Sequence, residues 1–208
     1  MAEFWEKAFS SNEKMWGNNA VDNAYTVLEM LKQEEAKDIL IPGFGYGRNA
    51  KVFHDAGMKV SGIEISETAI LKARKQFDNE TIIHHGSVNN MPYDDVSYDA
   101  IYSYSLIHLL NQTERKKFLY NCYQQLKKNG LLITVALSIN DHRYGMGNEI
   151  AQNTFMSPNG LSLYFYDEAA IKTEFMAYNI EHVEEITEPN KPNTKPFEKM
   201  WMVVCRKP

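Results

Sequence analysis

The sequence predicts an α/β fold of the doubly wound class: a mostly parallel seven-stranded sheet, helices on both faces, and an antiparallel last strand. Three observations lead there. Short β-type runs alternate with helical stretches, the pattern of parallel strands joined by right-handed crossovers. The first of these runs leads into a glycine turn that opens a helix. The last two runs are joined by a Pro-rich turn rather than a helix, so they can pair antiparallel, which puts one reversed strand at the edge.

The strands read as Asp38–Ile41, Lys59–Glu64, Thr81–His84, Asp99–Ser103 and Gly130–Ala136, then a strand near 180–187 and a closing one at 199–205. Helices are expected over about 49–56, over 66–77 with Ser66 and Glu67 as start signals, and from Asn111 or Thr113 to Lys128. Asn129-Gly130 reads as a left-handed cap closing the third helix, and a fourth is expected over about 167–177. The chain 1–208 is read as a single domain: a helical preface at 1–36, a core at 37–138, an insertion at 139–166, and a terminal helix and strand pair at 167–208. Gly145, Gly147, Pro158 and Gly160 make the insertion loop-rich, either a lid or a polar surface loop.

Composition narrows the function classes. With 44% apolar and 24% charged residues, the 208-residue chain is neither a disordered tract nor a disulfide scaffold. Its net charge is −5 and its Lys and Arg are dispersed, so a nucleic-acid partner is not expected. Apolar runs such as Leu131–Leu137 stop far short of the roughly 20 residues a membrane helix needs, and the first residues carry no apolar leader segment. A cytoplasmic protein with no membrane partner is expected, with oligomeric state left open. Cys122 and Cys205 read as buried free thiols. His84 and His85 are adjacent on a strand, point to opposite faces and define no metal site.

The segment Pro42-Gly43-Phe44-Gly45-Tyr46-Gly47-Arg48-Asn49 follows the first strand and opens a helix. Its spacing is G-x-G-x-G. A dinucleotide fingerprint, G-x-G-x-x-G, needs glycine where Arg48 stands, so a nicotinamide-dependent oxidoreductase is the lesser reading. Glu64 ends the second strand, where a carboxylate can accept both hydroxyls of a ribose.

In order and spacing, Ile39–Asn49, Gly62-Ile63-Glu64, Gly86–Pro92, Tyr98–Leu110 and Leu126–Thr134 resemble the class I S-adenosylmethionine (SAM)-dependent methyltransferases over about 37–138. Gly47-Arg48-Asn49 is similar to the tellurite-resistance methyltransferases, and Ile41-Pro42-Gly43 to the thiol and thiopurine methyltransferases. The resemblance implies a Rossmann-like domain that uses SAM and releases S-adenosylhomocysteine, with the donor along the carboxyl edge of strands one, two and four. It implies that Gly43, Phe44, Gly45 and Gly47 line the methionine and ribose portion, that Glu64 holds the ribose, and that Ile65 packs on adenine. Ser87, followed by Val88, stands where the family usually carries an Asp for the adenine amino group, and Ile41 stands where many members are acidic.

By the same resemblance Tyr104 and His108, after the fourth strand, are the candidates nearest the methyl group. His108 reads equally as a general base or as a helix-start histidine packed on the sheet, and Tyr104 as a site residue or a core aromatic. Trp16 reads as a cover for the donor or as a helix staple. The Asn/Asp-Pro-Pro-aromatic tetrad of amino-directed nucleic-acid methyltransferases is missing, so the acceptor is expected to be a small molecule or a side chain on a protein; the small molecule is the reading taken, and the two subgroup resemblances hint at a soft nucleophile such as a thiol or chalcogen oxyanion. A non-catalytic SAM or nucleotide sensor is the remaining alternative.

Overall fold

The computed structural model describes residues 1–11, 15–188 and 197–208. The predicted Pro-rich turn through Pro189, Pro192 and Pro196 lies outside the described residues, as does Lys14. The chain forms two compact units, Met1–Tyr102 and Ser103–Pro208.

The first unit contains α1 (Ala2–Ser11), α2 (Asp22–Gln33), β1 (Asp38–Pro42), α3 (Ala50–Asp55), β2 (Lys59–Glu64), α4 (Glu67–Ala73), β3 (Ile82–His85) and most of β4 (Tyr98–Tyr104). β1 runs parallel to β2, from Asp38 opposite Lys59 to Pro42 opposite Ile63, and parallel to β4 on its other side. Ile39, Leu40 and Ile41 are all buried, as expected for a parallel strand covered on both faces. Asp99 Oδ2 accepts from the N–H groups of Lys37 and Asp38, both at 2.9 Å, and so fixes where β1 starts. Ser66 caps α4, its hydroxyl accepting from Ala69 N–H at 3.1 Å.

The second unit contains α5 (Gln112–Gln124), β5 (Leu126–Leu137), β6 (Asn148–Ala151), β7 (Thr154–Met156), β8 (Ser162–Tyr164), α6 (Glu168–Phe175), β9 (Ile180–Glu188) and β10 (Glu198–Arg206). The strand order β3-β2-β1-β4-β5-β10-β9 is the doubly wound sheet the sequence predicts. The last strand is reversed, as expected, but it is not the edge. β10 pairs antiparallel with both β5 and β9, and β9 takes the outer position. Apolar side chains explain the order: Met200, Met202, Val203, Val204 and Cys205 of β10 are buried, while β9 is Glu-rich and mostly exposed or half-buried.

Two further expectations are corrected. Asn129 does have a left-handed φ of 64°, but it caps no helix. α5 ends at Gln124, and Asn129 lies within β5, donating its N–H to Lys207 O at 2.7 Å while Gly130 O accepts from Lys207 N–H at 2.9 Å. Pairing with the chain's last residues overrides the local cap signal. The insertion is not loop-rich throughout: β6, β7 and β8 form a small antiparallel sheet. Its packing comes from Tyr144, Phe155 and Phe165, whose ring centroids lie 5.1–5.9 Å apart.

Arg115 is 6% exposed, and its Nε lies 2.9 and 3.1 Å from the two carboxylate oxygens of Glu174. The guanidinium sits 3.9 Å from the Tyr164 ring centroid and donates to Leu110 O, joining α5, β8 and α6. Removing one partner of such a pair strands a buried charge, which costs about 3–5 kcal/mol. Glu174→Ala should therefore lower unfolding stability by about that amount, read from the urea midpoint. The double variant Arg115→Met/Glu174→Leu should recover most of the loss; a midpoint unmoved by Glu174→Ala would show that the pair contributes nothing.

Candidate functional site

The turn after β1 is built from three glycines with positive φ: Gly43 at 72°, Gly45 at 57° and Gly47 at 85°. The N–H groups of Gly43 and Phe44 both donate to Ile63 O of β2, at 2.9 and 3.0 Å. Two contacts make glycine obligatory nearby. A Cβ on Gly47 would stand 2.2 Å from the Phe77 ring, and one on Gly62 would stand 2.1 Å from the Phe44 ring. The Phe44 side chain is thus turned into the core, against Gly62 and Phe77, and only its backbone belongs to the turn surface.

Glu64 closes the turn. It is 5% exposed, and its carboxylate accepts from Gly45 N–H at 2.6 Å, Ile65 N–H at 2.8 Å and Ser66 N–H at 2.9 Å. Burial pushes its carboxyl above the ordinary range, opposed by these three donors and by the nearby His85. A carboxylate has about four lone-pair positions, so at least one acceptor position is left over from the three backbone donors. Ile65 is half-buried beside it, its carbonyl 3.2 Å from His85 Nε2.

Gly86 N–H donates to Glu64 O at 2.8 Å, which sets the next turn beside the carboxylate. Ser87 caps a short 3-10 turn over Val88–Asn90, its hydroxyl accepting from Asn89 N–H. Its carbonyl accepts from the Tyr93 hydroxyl at 2.8 Å. Val88 is buried. His84 is paired with Asp94 at 2.7 Å, and among the described residues no group of three or more His, Cys, Asp or Glu is arranged to hold a metal ion.

Trp16 stacks on Tyr46 with ring centroids 6.3 Å apart, and Phe9 of α1 meets both rings edge-on. Trp16 remains 42% exposed, whereas Tyr46 is 3% exposed. α1 is held further by Glu6, whose carboxylate accepts from the Ser66 hydroxyl at 2.7 Å and from the hydroxyl and N–H of Thr68. These donors hold the Glu6 carboxyl below its ordinary range, and the carboxylate acts as a remote cap of α4. The sequence reading missed Glu6, because no local pattern in α1 announces a partner 60 residues away. Nor does the Gly47-Arg48-Asn49 motif announce that the Arg48 side chain reaches the Trp16 and Asn19 carbonyls.

In the second unit, Tyr104 ends β4 half-buried and is followed by Ser105 at φ 57°, whose N–H donates to Val135 O. His108 is 3% exposed, and its Nδ1 accepts from Leu137 N–H at 3.3 Å. That bond leaves the proton of the neutral ring on Nε2. Burial lowers its pKa to about 3, aided by the Arg143 cation. Arg143 is clamped by Asp141, which accepts from its Nε at 2.7 Å and its Nη2 at 3.1 Å and also takes Lys199 N–H. His108 as folded is a hydrogen-bond donor with no affinity for a proton at neutral pH.

Gly43, Phe44, Gly45, Gly47, Glu64, Ile65 and Trp16 therefore surround one turn of the first unit, with Ser87 and Val88 tied in through Gly86. Tyr104 and His108 belong to the second unit.

Comparison with known proteins agrees with this architecture. Residues 40–134 match the family model of a methyltransferase domain. A probable SAM-dependent methyltransferase of Mycolicibacterium smegmatis is 26% identical over 98 residues, 47% of this chain and 37% of that protein. Thiocyanate methyltransferase 1 of Brassica oleracea is 23% identical over 183 residues, 85% of this chain and 75% of that protein. The chain spans 52% of the length of another curated relative, from Haemophilus influenzae, so it matches about half or less of two of these proteins. The fold is similar to that of Burkholderia thailandensis 1,6-didemethyltoxoflavin-N1-methyltransferase, solved with 1,6-didemethyltoxoflavin and S-adenosylhomocysteine: the TM-score is 0.75 at 15% identity, covering 99% of this chain and 88% of that one. No helix among the described residues is long and apolar enough to cross a membrane. Residues 40–134 thus match a methyltransferase domain, and with the glycine turn and the sheet order the chain is similar to the class I SAM-dependent methyltransferases.

Proposed function

We propose that this chain moves the methyl group of SAM to a small, soft nucleophile of the thiol or chalcogen-anion class. The observation that carries the donor half is the Glu64 carboxylate, buried against the Gly43–Gly47 turn with acceptor capacity left for a ribose hydroxyl. The residues present fit such a donor. The backbone of Gly43, Phe44, Gly45 and Gly47 would frame its methionine and ribose portion, Ile65 and Val88 would flank adenine, Ser87 would offer a hydroxyl beside them, and Trp16 would cover the open side. When bound, SAM supplies a methyl on a sulfonium, and the carbon–sulfur electron pair leaves with the sulfur as an acceptor lone pair bonds to the methyl carbon.

The acceptor half rests on two observations. One relative, aligned over 85% of this chain, is thiocyanate methyltransferase 1 of Brassica oleracea. The one histidine considered as a base is held neutral, with its Nδ1 already occupied. An acceptor that arrives as a polarisable anion needs no base, because no proton has to leave. Tyr104 and His108 then serve as hydrogen-bond donors that orient, and the protein's contribution is alignment and exclusion of water.

Glu64→Ala should weaken S-adenosylhomocysteine binding at least tenfold by calorimetry, about one charge-assisted hydrogen bond's worth; equal affinity removes Glu64 from the ribose role. Incubation with methyl-labelled SAM and thiocyanate, hydrosulfide, tellurite or a heteroaromatic ring nitrogen should label the soft acceptors. Label on the ring nitrogen alone overturns the acceptor class, and no label on any of them, with S-adenosylhomocysteine bound, supports a sensor.

The buried histidine has a separate consequence. Its folded pKa of about 3 lies below its ordinary 6.5, so the unfolded chain binds the extra proton first. Stability is therefore full above pH 6.5 and falls as pH drops toward 3, by at most about 1.4 kcal/mol per unit. Urea unfolding at pH 7, 6 and 5 should show this slope, and His108→Gln should flatten it; an identical slope in the variant would mean that His108 is not the group responsible.

A further inference from the structure

Three side chains in or just after the glycine turn reach backward, away from the turn's own backbone, to the segment Trp16–Val21. The Tyr46 hydroxyl donates to Gly17 O at 2.7 Å and accepts from Trp16 N–H at 3.2 Å. Arg48 Nη1 donates to Asn19 O at 3.0 Å and to Trp16 O at 3.4 Å. Asn49 Oδ1 accepts from Val21 N–H at 3.2 Å. Each bond goes to main chain, so the recognition is of the path of the segment rather than of its side chains.

The same segment is held from its other side by rings. Phe9 lies 3.8 Å from where a Cβ on Gly45 would stand, and Trp5, Phe9, Trp16 and Tyr46 pack into one cluster with Ala69. Tyr46 is thus shared: its backbone is part of the turn, its ring is in the cluster, and its hydroxyl is bonded to the segment. Gln76 fixes that backbone from below, its amide donating to Tyr46 O at 3.1 Å. A displacement of Trp16–Val21 breaks bonds to three residues within four positions of the turn, and a displacement of the turn breaks the same bonds.

We infer that Arg48 and Tyr46 are positioning residues that latch Trp16–Val21 over the donor turn and thereby set how slowly the donor, and the S-adenosylhomocysteine product after transfer, leaves. The inference rests on the donor reading of the Gly43–Gly47 turn. Arg48 is the more informative of the two because it replaces the third glycine of a dinucleotide fingerprint. At that position a side chain long enough to span to the Trp16 and Asn19 carbonyls exchanges close approach to a pyrophosphate for a hold on the covering segment. Coupling of this kind is reciprocal: if the latched segment slows departure of the ligand by stabilising the bound state, bound ligand must stabilise the latched segment by the same factor.

The test uses the full chain with S-adenosylhomocysteine as probe, in wild type, Arg48→Ala, Arg48→Lys and Tyr46→Phe. Stopped-flow tryptophan fluorescence gives association and dissociation rates, and amide exchange followed by NMR reports on Trp16 and Val21. Expected are a roughly tenfold faster dissociation in Arg48→Ala and Tyr46→Phe with association changed less than twofold, and partial rescue by Arg48→Lys. Bound S-adenosylhomocysteine should slow exchange of the Trp16 and Val21 amides in wild type and much less in Arg48→Ala. A purely structural role would lower the melting temperature and leave the dissociation rate unchanged, which overturns the inference while the donor reading stands. If the wild type fails to bind S-adenosylhomocysteine at all, the donor reading fails first.

Discussion

The first unit depends on a buried carboxylate that has to be satisfied. Glu64 ends β2 almost out of reach of solvent, where an ionised group with no partner is costly. Its three donors come from two places: Gly45 in the turn after β1, and Ile65 and Ser66 in its own connection to α4. The carboxylate therefore staples the ends of two parallel strands. Ser66, positioned by that staple, caps α4, and its hydroxyl hydrogen in turn reaches Glu6, which docks α1. From one acidic side chain the order propagates outward to the turn, the helix and the N-terminal segment.

In the second unit the Leu137 N–H occupies Nδ1 of His108 and burial keeps the ring neutral, so no proton acceptor is left on it at neutral pH. Asp141 is buried but takes two bonds from the Arg143 guanidinium and one each from the backbone N–H groups of Arg143 and Lys199. The Arg143 donors hold its carboxyl below the ordinary range in spite of burial. The thiols of Cys122 and Cys205 are pushed up by burial and stay protonated. Ion pairs of this kind specify geometry more than they add stability.

Periodicity and punctuation made most of the fold legible. The parallel strands carry continuous apolar runs, and Asn111 with Glu114 forms the capping box that opens α5. What the sequence could not reveal depended on distant partners. Asn129 has the left-handed conformation its type favours, yet its role is set by Lys207 at the far end of the chain. The edge position of β9 follows from which of two strands has the more apolar face, and adjacent-strand logic does not weigh that. Within the site, Gly43 to Gly47 and Glu64 were readable because backbone conformation and a terminal carboxylate leave local signatures. Tyr46, Arg48, Asn49 and Glu6 were not, because their partners are carbonyls, amides and hydroxyls about 30 to 60 residues away.

The tighter spacing of the turn and the neutral histidine bear on the same chemical question. A fingerprint with a third glycine lets a helix N-terminus approach a pyrophosphate, a ligand whose charge is negative and whose binding is electrostatic. Here Arg48 occupies that position and is committed to carbonyls of the chain itself, so little of its charge is offered to a ligand. A sulfonium donor has no pyrophosphate to neutralise and carries its own activation, so the turn can be given over to shape and to the ribose. An acceptor already deprotonated makes an equally small demand on acid–base machinery. A turn closed by a backbone-satisfied carboxylate, beside an arginine committed to carbonyls of its own chain, is then suited to a displacement whose rate depends on alignment and dryness rather than on proton transfer.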